Sequence, residues 1–365
     1  MHDVVVVGYG PVGALLAVRL ATAGLDVVVV ERDAEPYPLP RGVAADGEVL
    51  ELLERAVPGS TAGFLRDPQV RFLGADAREI GRLHFPVPGL AFFRQPVLEH
   101  RLRAAADALG VDVRLGAALR ALEQDADGVT AVVGDEPVRA RFVVGCDGAS
   151  STVRRLAGAG WLGRDLPPRW LVCDVVGPAV VDRQLFTYTC DPALPQVDLP
   201  LPGGHRWEWL LRGPTPDDLT ATAERLLRRD TDVAVQVVRA VEYRFAARRA
   251  VRWRTGRVLL AGDAAHTMPP FAGQGLGAGL RDAWALAALL ARAPDDLDRY
   301  QRLREPHLRR MTALSLFLGA VLQTGSPRAA AMRDALLRRA FRAPAVGPWL
   351  RRGGPRPERS GVLDL

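Results

Sequence analysis

The chain has 365 residues, of which 48% are hydrophobic and 25% are charged, an ordinary globular composition with enough apolar material for a large core. The net charge of +6 comes from arginine alone, and because the arginines are spread along the chain without a basic tract, we expect no nucleic-acid partner. The chain contains no apolar run of about 20 residues, the length needed to cross a membrane, so we expect no membrane partner. Three cysteines without CxxC spacing argue against a disulfide framework or a metal site, and they favour a cytoplasmic location.

The first 31 residues predict a strand, turn, helix and strand in succession. The β-branched run 3–7 predicts a buried strand, and the glycine-rich turn 8–13 follows it. Residues 14–23 then predict a helix, and residues 27–30 predict a second buried strand that ends at Glu31. This order is that of a nucleotide-binding βαβ unit.

Periodicity and turn residues predict the rest of the fold. From 171 to 212 the pattern changes to antiparallel strands punctuated by proline and glycine, which indicates a separate sheet. Further helices are predicted at 46–56, 97–109, 215–229, 275–292 and 297–341. Further strands are predicted at 70–85, 111–133, 141–146 and 251–262, and the tail from 353 is predicted to be irregular.

Gly8, Gly10 and Gly13 form a GxGxxG turn, whose first glycine permits the tight turn. The second glycine lets the backbone approach a pyrophosphate, and the third lets the helix pack closely on the strand. Because the turn follows a strand and opens a helix, the helix N-terminus faces the phosphates. Glu31 at the end of the next strand is placed to accept hydrogen bonds from an adenosine ribose.

Two further constellations follow in the sequence. Residues 146–154 read CDGASSTVR. Residues 256–266 read as a buried strand that ends at Asp263, and residues 269–275 form a proline corner followed by glycines that open a helix. A carboxylate there can accept hydrogen bonds from a polyol, and the helix N-terminus can stabilise negative charge on a reduced flavin.

Together the three motifs resemble the class A flavoprotein monooxygenases, which share the para-hydroxybenzoate hydroxylase fold. Among these the chain is most similar to the 3-(3-hydroxyphenyl)propionate hydroxylases, and the resemblance extends to Leu363. The segments that carry this closer likeness are 37–41, 46–50, 190–192, 206–209, 243–245 and 268–275.

The resemblance implies an FAD-dependent monooxygenase that hydroxylates a phenolic or polyketide-like aromatic molecule, with antibiotic biosynthesis as the expected setting. NADPH or NADH would be the transient electron donor, and O2 would form a flavin C4a-hydroperoxide. It further implies a mixed α/β fold in which a Rossmann-like FAD-binding domain carries an inserted antiparallel-sheet substrate domain and a C-terminal helical segment. The predicted boundaries are 1–160 and 245–295 for the FAD-binding domain, with 65–95 contributing sheet near the substrate, 161–244 for the substrate domain, and 296–365 for the C-terminal segment and tail.

The resemblance also assigns site residues. It places the pyrophosphate on Gly8, Gly10 and Gly13, and the adenosine at Glu31, Arg32 and the Leu119 backbone. It places Arg41 and Gln95 in contact with FAD, Asp263 on the ribityl chain, and Gly273, Gly275 and Leu276 facing the isoalloxazine. Asp147 and Arg154 match a motif linked to FAD and NAD(P)H, with a helix cap and a surface salt bridge as the respective alternatives.

The substrate pocket is predicted between the flavin and the sheet of 171–212. Its candidate lining residues are Tyr188, Trp207, Trp209, Pro270 and Phe271. His205 and Tyr188 are weak catalytic candidates, and an exposed loop position is the alternative for His205. Core packing is the alternative for the two tryptophans, and His266 is expected to be structural.

The chain departs from the family pattern in two places. Residues 276–279 read LGAG where the family usually shows Met or Leu followed by Asn or Cys, so side-chain contacts to the flavin are lost while backbone contacts remain. The thioredoxin-like domain that many relatives carry beyond this point is expected to be absent, which leaves a monomer or a homodimer open.

The same fold also supports other reactions. A flavin-dependent halogenase requires a catalytic lysine, and this chain has none. A Baeyer–Villiger or epoxidising oxygenase stays open, as does a flavin-dependent reductase or a non-catalytic flavin-fold carrier.

Overall fold

A computed structural model describes residues 1–66, 69–84, 89–178, 185–231, 234–352 and 359–365. The strands are β1 (His2–Val7), β2 (Val27–Val30), β3 (Ala44–Asp46), β4 (Leu65–Arg66), β5 (Gln69–Leu73), β6 (Glu79–Leu83), β7 (Leu90–Phe92), β8 (Asp112–Arg114), β9 (Leu119–Gln124), β10 (Val129–Val133), β11 (Glu136–Gly145), β12 (Trp161–Val176), β13 (Leu185–Thr189), β14 (Gln196–Leu201), β15 (Gly204–Leu211), β16 (Gln236–Ala250), β17 (Arg254–Thr255), β18 (Val258–Leu260) and β19 (His266–Thr267). The α-helices are α1 (Pro11–Thr22), α2 (Gly47–Ala56), α3 (Gln95–Ala108), α4 (Thr152–Leu156), α5 (Leu219–Asp230), α6 (Gly275–Arg292), α7 (Asp298–Leu322), α8 (Pro327–Arg342) and α9 (Gly347–Arg351).

The first sheet is mostly parallel and has the strand order β17-β18-β11-β1-β2-β8, with β10 and β9 added as antiparallel neighbours beside β11. Val4–Val7 and Val27–Val30 are buried throughout, as expected for central strands that are covered on both faces. Helix α1 packs against α3 and α6. The carboxyl ends of β1, β11 and β18 meet at one edge, where ligands bind in sheets of this kind.

The second sheet has the order β19-β16-β12-β15-β14-β13-β5-β6 and is antiparallel except where β13 pairs with β5. Helix α5 covers one face, where Leu227 packs with the side chains of Leu171 and Trp209. The opposite face carries Phe186, Val197 and other apolar side chains. A small third sheet has the strand order β3-β7-β4.

The C-terminal helices form a further layer. Helix α7 packs against α6 and the 3-10 turn Pro270–Ala272, while α8 and α9 pack on β6. The tail is tied to α2, because Glu48 accepts hydrogen bonds from the backbone of Ser360 and Gly361. Glu48 also pairs with buried Arg281, and burial of these charges is tolerated because each has a partner.

The predicted mixed α/β fold is confirmed, while several element boundaries differ. The region 251–262 is a short hairpin of β17 and β18 rather than one strand. Helix α5 begins at Leu219 because the Asp218 carboxylate accepts a hydrogen bond from Ala221 N at 2.9 Å and caps the helix there. The predicted helix 297–341 is two helices, and α8 starts at a serine cap, Ser326, followed by proline.

The predicted domain boundaries stay a prediction. Strand β16 continues across the proposed boundary at residues 244 and 245, although its register with β12 shifts there, between Arg244 and Ala246. Strands β5 and β6 join the second sheet, in the part of the chain expected to contribute sheet near the substrate.

Candidate active site

The glycine turn between β1 and α1 allows an unusually close backbone approach. Gly8 has φ +101°, which favours glycine, and a Cβ there would lie 2.6 Å from the Cys146 carbonyl oxygen. A Cβ at Gly13 would lie 2.0 Å from the Gly8 carbonyl oxygen, so only glycine lets α1 pack this closely on β1. A Cβ at Gly10, in contrast, would meet nothing within 4 Å. Gly13 therefore serves helix packing, while Gly10 leaves room for a ligand.

One cavity of about 1230 Å³ joins this turn to the second sheet. Gly8, Gly10 and Pro11 line one end, so α1 begins at the cavity wall. Phe186 and Tyr188 of β13 line the other end. A ligand at the glycine turn and a second molecule at the sheet would thus share one continuous cavity.

Glu31 lies at the end of β2 and lines the cavity. Its carboxylate accepts hydrogen bonds from Tyr9 N at 2.7 Å and from Asp33 N at 3.1 Å, which fix the side chain beside the glycine turn. Arg32 and Leu119 also line this end. The Arg32 side chain is exposed and lies 3.6 Å from Asp33.

Asp263 lies in a 3-10 turn directly after β18 and lines the cavity. Among the residues that the structure describes, no side chain or backbone group donates a hydrogen bond to its carboxylate. Although the Asp263 side chain is exposed to the cavity, desolvation by the surrounding protein raises its pKa above the usual value, and the charges of His266 and Arg41 offset this only in part. The carboxylate is therefore a hydrogen-bond acceptor directed at whatever occupies the cavity.

A buried ionic network fixes this turn. Asp282 on α6 accepts hydrogen bonds from Gly262 N at 3.1 Å, from Arg304 Nε at 2.9 Å and pairs with His266 Nε2 at 2.5 Å. Burial would raise the pKa of Asp282, but the charges and hydrogen bonds of His266 and Arg304 outweigh it and hold the pKa below its usual value. His266 is thus buried and bound within the network, which agrees with the structural role expected for it.

The proline corner before α6 brings three predicted residues to the cavity. Gly273 has φ +64°, the left-handed conformation that lets the chain turn into α6 at Gly275. Gly273, Gly275 and Leu276 all line the cavity. The N-terminus of α6 therefore opens at the cavity, where its unpaired N–H groups favour negative charge.

Arg41 lines the cavity and stacks on Tyr37, with its guanidinium carbon 4.3 Å from the ring centre. A buried cluster outside the predicted site holds the preceding backbone. Arg206 donates to the Pro40 carbonyl at 2.6 Å and to the Arg41 carbonyl at 3.1 Å, and Asp174 pairs with Arg206 at 2.6 Å. The cluster fixes the loop from which Arg41 reaches the cavity.

Sequence reasoning missed this cluster. Arg239 is its third member and donates to the same Pro40 carbonyl at 2.6 Å. Asp174, Arg206 and Arg239 lie on three strands, β12, β15 and β16, which only sheet register brings together. No local motif could have identified it.

Gln95 lines the cavity, and its side-chain oxygen accepts a hydrogen bond from Gly42 N at 2.8 Å. Gly42 is packed tightly, since a Cβ there would lie 2.9 Å from Leu276. Gln95 therefore holds the loop after Arg41 in place.

The structure gives Asp147 and Arg154 local partners. The Asp147 carboxylate lines the cavity but accepts hydrogen bonds from Thr152 N at 2.7 Å and Val153 N at 3.1 Å at the start of α4. Arg154 is not a surface residue: it is buried, donates to the carbonyls of Ala149 and Ala264, and stacks on Trp161. Asp147 therefore caps the start of α4, as its alternative predicted, and Arg154 connects the loops that contain Ala149 and Ala264.

Tyr188, Pro270 and Phe271 line the end of the cavity formed by the second sheet. The Tyr188 hydroxyl donates to the Phe271 carbonyl at 2.8 Å, which ties β13 to the turn before α6. Burial raises the pKa of Tyr188 above its ordinary value, and the neighbouring Glu208 charge adds to this effect. The hydroxyl is thus a poor candidate for proton transfer at neutral pH.

The placement of His205, Trp207 and Trp209 in the pocket is wrong. These three side chains lie on the face of β15 that packs under α5, away from the cavity. His205 is fully buried, so an exposed loop position is wrong as well, and its Nε2 lies 3.1 Å from Asp198 Oδ1. Trp209 Nε1 donates to Asp230 on α5 at 2.9 Å. The alternation of a strand places the neighbours Arg206 and Glu208 at the cavity instead.

Among the described residues, no cluster of three His, Cys, Asp or Glu side chains is arranged to hold a metal ion. In the same part of the chain, no helix combines the length and apolar character that a membrane crossing requires.

The fold and the cavity define a flavoprotein of the Rossmann-like class with an attached substrate sheet. A family model described as "FAD binding domain" matches residues 1–190 and 206–315, and the chain belongs to this FAD-binding family. The resemblance inferred from the three motifs is thereby confirmed.

Individual relatives agree with this assignment. The chain is 35% identical over 370 residues to a 3-(3-hydroxy-phenyl)propionate/3-hydroxycinnamic acid hydroxylase of Mycobacterium sp. (strain KMS), which covers 94% of this chain and 64% of that protein. It is 36% identical over 362 residues to a probable NADH-specific resorcinol 4-hydroxylase of Rhodococcus jostii (strain RHA1), covering 91% of this chain and 68% of that one. The chain thus spans about two thirds of the length of these curated relatives.

Among solved structures, p-nitrophenol 4-monooxygenase of Pseudomonas putida DLL-E4 superposes with a TM-score of 0.84 at 25% identity, covering 98% of this chain and 99% of that chain. This similarity confirms the fold over nearly the whole length.

The residues at the cavity fit FAD. Gly10 leaves open space beside the N-terminus of α1, where a pyrophosphate requires close backbone approach. The Asp263 carboxylate faces the cavity without a partner among the described residues, as an acceptor for a polyol chain requires.

Proposed function

We propose that this protein is an FAD-dependent monooxygenase that consumes NADH or NADPH and hydroxylates an aromatic small molecule. The observation that carries the proposal is the single cavity, which joins a nucleotide-binding glycine turn and Asp263 to an apolar, aromatic-rich pocket. FAD would supply the redox and oxygen chemistry there, and the protein would supply position and a dry environment. The names of the curated relatives and of the solved structure, all hydroxylases or monooxygenases of phenols, support the same reaction class.

We assign cofactor contacts on the same basis. The Gly8–Gly10 backbone and the α1 N-terminus would bind the pyrophosphate, and Glu31 and Arg32 the adenosine. Asp263 would bind the ribityl chain, while the N-terminus of α6 with Gly273, Gly275 and Leu276 would face the isoalloxazine. Asp282 and Arg206 position these groups through the turn at Gly262 and the loop at Arg41.

Two finer points belong to this proposal. We propose that O2 is the oxygen source and that the protein works in the cytoplasm, which its three free cysteines favour. We further propose that it acts as a monomer or homodimer.

The reaction is tested with FAD-loaded protein, NADH or NADPH, and a panel of phenols and polycyclic aromatics under ¹⁸O2. We expect substrate-stimulated oxidation of the nicotinamide and one labelled oxygen atom on an aromatic carbon of the product. Label in a lactone or an epoxide would establish the Baeyer–Villiger or epoxidising alternative. Oxidation of the nicotinamide without labelled product for every compound would contradict the proposal, and failure to retain FAD would contradict its basis.

A further inference from the structure

One face of the second sheet forms the wall of the cavity opposite the nucleotide-binding end. Strand register aligns Phe72 with Tyr188, Tyr188 with Val197, and Val197 with Glu208. Directly paired residues project to the same side of a sheet, and all four line the cavity. A carboxylate therefore stands in a row of apolar and aromatic side chains.

Apart from Arg206, the neighbours of Glu208 along this row are apolar or aromatic. Other apolar side chains that line the same cavity are Val70, Phe92, Phe186, Leu199, Leu318 and Phe341. An acidic side chain in such a wall is costly unless a hydrogen bond or a counter-charge compensates it.

The protein compensates Glu208 only weakly. In the described part of the chain no group donates a hydrogen bond to its carboxylate, and Arg206 Nη1 lies 4.0 Å from Oε1. That guanidinium is already occupied by Asp174 at 2.6 and 3.0 Å and by the Pro40 carbonyl. The Tyr188 hydroxyl is likewise occupied, since it donates to the Phe271 carbonyl. The carboxylate oxygens of Glu208 can thus accept a hydrogen bond from a molecule in the cavity.

We propose that Glu208 binds the substrate by accepting a hydrogen bond from one of its hydroxyl groups, and that this cavity selects uncharged aromatic hydroxyl compounds over aromatic carboxylates. The proposal rests on the proposed function, because it names the substrate class of the same site. The wall that carries Glu208 is connected to the turn that leads into α6, where the isoalloxazine would lie. The connection is Tyr188, two strands away on the same face, whose hydroxyl donates to the Phe271 carbonyl.

The electrostatics of the wall support this selectivity. Burial raises the pKa of Glu208, and the Arg206 charge offsets that only in part, so the group gains from a hydroxyl donor. A substrate carboxylate would bring a second negative charge into the same apolar space. The charges of Arg206 and Arg239 both act on Glu208, and these two arginines are balanced by the two carboxylates of Asp174 and Glu208. They therefore leave no net positive charge for a substrate carboxylate.

The test measures binding rather than turnover. FAD-loaded protein is titrated without NAD(P)H with 1-naphthol, 1-methoxynaphthalene or 1-naphthoate, and the flavin absorbance spectrum reports occupancy of the pocket. We expect 1-naphthol to bind about 10-fold to 100-fold more tightly than the methoxy compound, which lacks the donor, with 1-naphthoate binding weakest.

Glu208→Gln gives the decisive comparison, because it keeps the shape and removes the charge. We expect 1-naphthol to bind about 10-fold more weakly and 1-naphthoate to bind more tightly than in the wild type. This opposite change cannot come from a general loss of structure, which would weaken all three probes. Asp198→Asn is the matched control, since Asp198 lies beside Val197 on β14 but contacts His205 on the other face; its probe order should equal that of the wild type.

Three results would overturn the proposal: no binding of 1-naphthol, equal affinity for 1-naphthol and 1-methoxynaphthalene, or uniform weakening of all probes by Glu208→Gln. Failure of the hydroxylase assignment is distinguishable, since it would appear as absent oxygen transfer while the predicted binding order stands.

Discussion

The walls at the two ends of the cavity differ in chemical composition. At the nucleotide-binding end the wall consists of glycine backbone and a few polar side chains, held in place by the buried network of Asp282, His266 and Arg304. At the other end the wall is a sheet face of mostly large apolar side chains, and Glu208 is the acidic group on that face within the described residues. The first end suits a cofactor whose shape is fixed, because backbone geometry tolerates little change. The second end suits a substrate whose identity can differ with a few side-chain replacements.

The largest expected effect tests whether the first end depends on its buried network. Asp282→Asn leaves Arg304 without its charge partner in a buried position, so we expect a loss of about 3–5 kcal/mol of unfolding free energy in urea denaturation. Because the pKa of Asp282 lies below its usual value, its contribution is present above about pH 4 and is lost as the pH falls through the folded-state pKa. The difference between wild type and variant should therefore shrink in acid.

Asp296→Asn is the control for that variant. Its ion pair with Arg302 is exposed, so the change should cost less than about 1 kcal/mol. Equal losses for the two variants would show that the Asp282 network does not stabilise the fold.

The glycine turn offers a smaller and more selective test. Gly13→Ala places a Cβ 2.0 Å from the Gly8 carbonyl oxygen, so we expect lower thermal stability even without FAD. Gly10→Ala adds a Cβ in open space at φ −71°, so we expect unchanged stability of the FAD-free protein but weaker FAD retention. Thermal melts and flavin content separate the two effects. Full FAD retention by Gly10→Ala would place the pyrophosphate elsewhere.

The smallest effect concerns the substrate end. Tyr188→Phe removes one hydrogen bond to the Phe271 carbonyl, so we expect a loss of about 0.5–1.5 kcal/mol of stability. FAD retention should stay at the wild-type level, while the affinity for 1-naphthol should fall slightly because the turn before α6 is less well held. Loss of FAD from this variant would show that a change at the substrate end also weakens cofactor binding, so that the two ends do not function independently.

The sequence predicted the first end in detail because its signals are local. The GxGxxG turn, Glu31 and the strand that ends at Asp263 each combine a geometric requirement with a neighbouring element. The cofactor residues predicted there line the cavity except for Gly13, which packs behind the turn, and Arg154, which is buried between two loops. Their contacts with FAD stay a prediction.

The second end could not be predicted in the same way. From the sequence, Trp207 and Trp209 are candidates for the pocket and equally for the core, and the structure places both in the core. Glu208 between them, which carries no such expectation, lines the cavity. Alternation along a strand establishes that Trp207 and Trp209 share one face and Glu208 takes the other. It does not establish which face meets the cavity.

The sequence by itself therefore determined the mixed α/β fold, the FAD-binding family and the position of the glycine turn, because each depends on residues close together in the chain. Tertiary structure alone decided the orientation of β15, because α5 covers the tryptophan face and leaves Arg206 and Glu208 to the cavity. It also decided the two buried ionic clusters, whose members are brought together by sheet register and helix packing across long stretches of sequence.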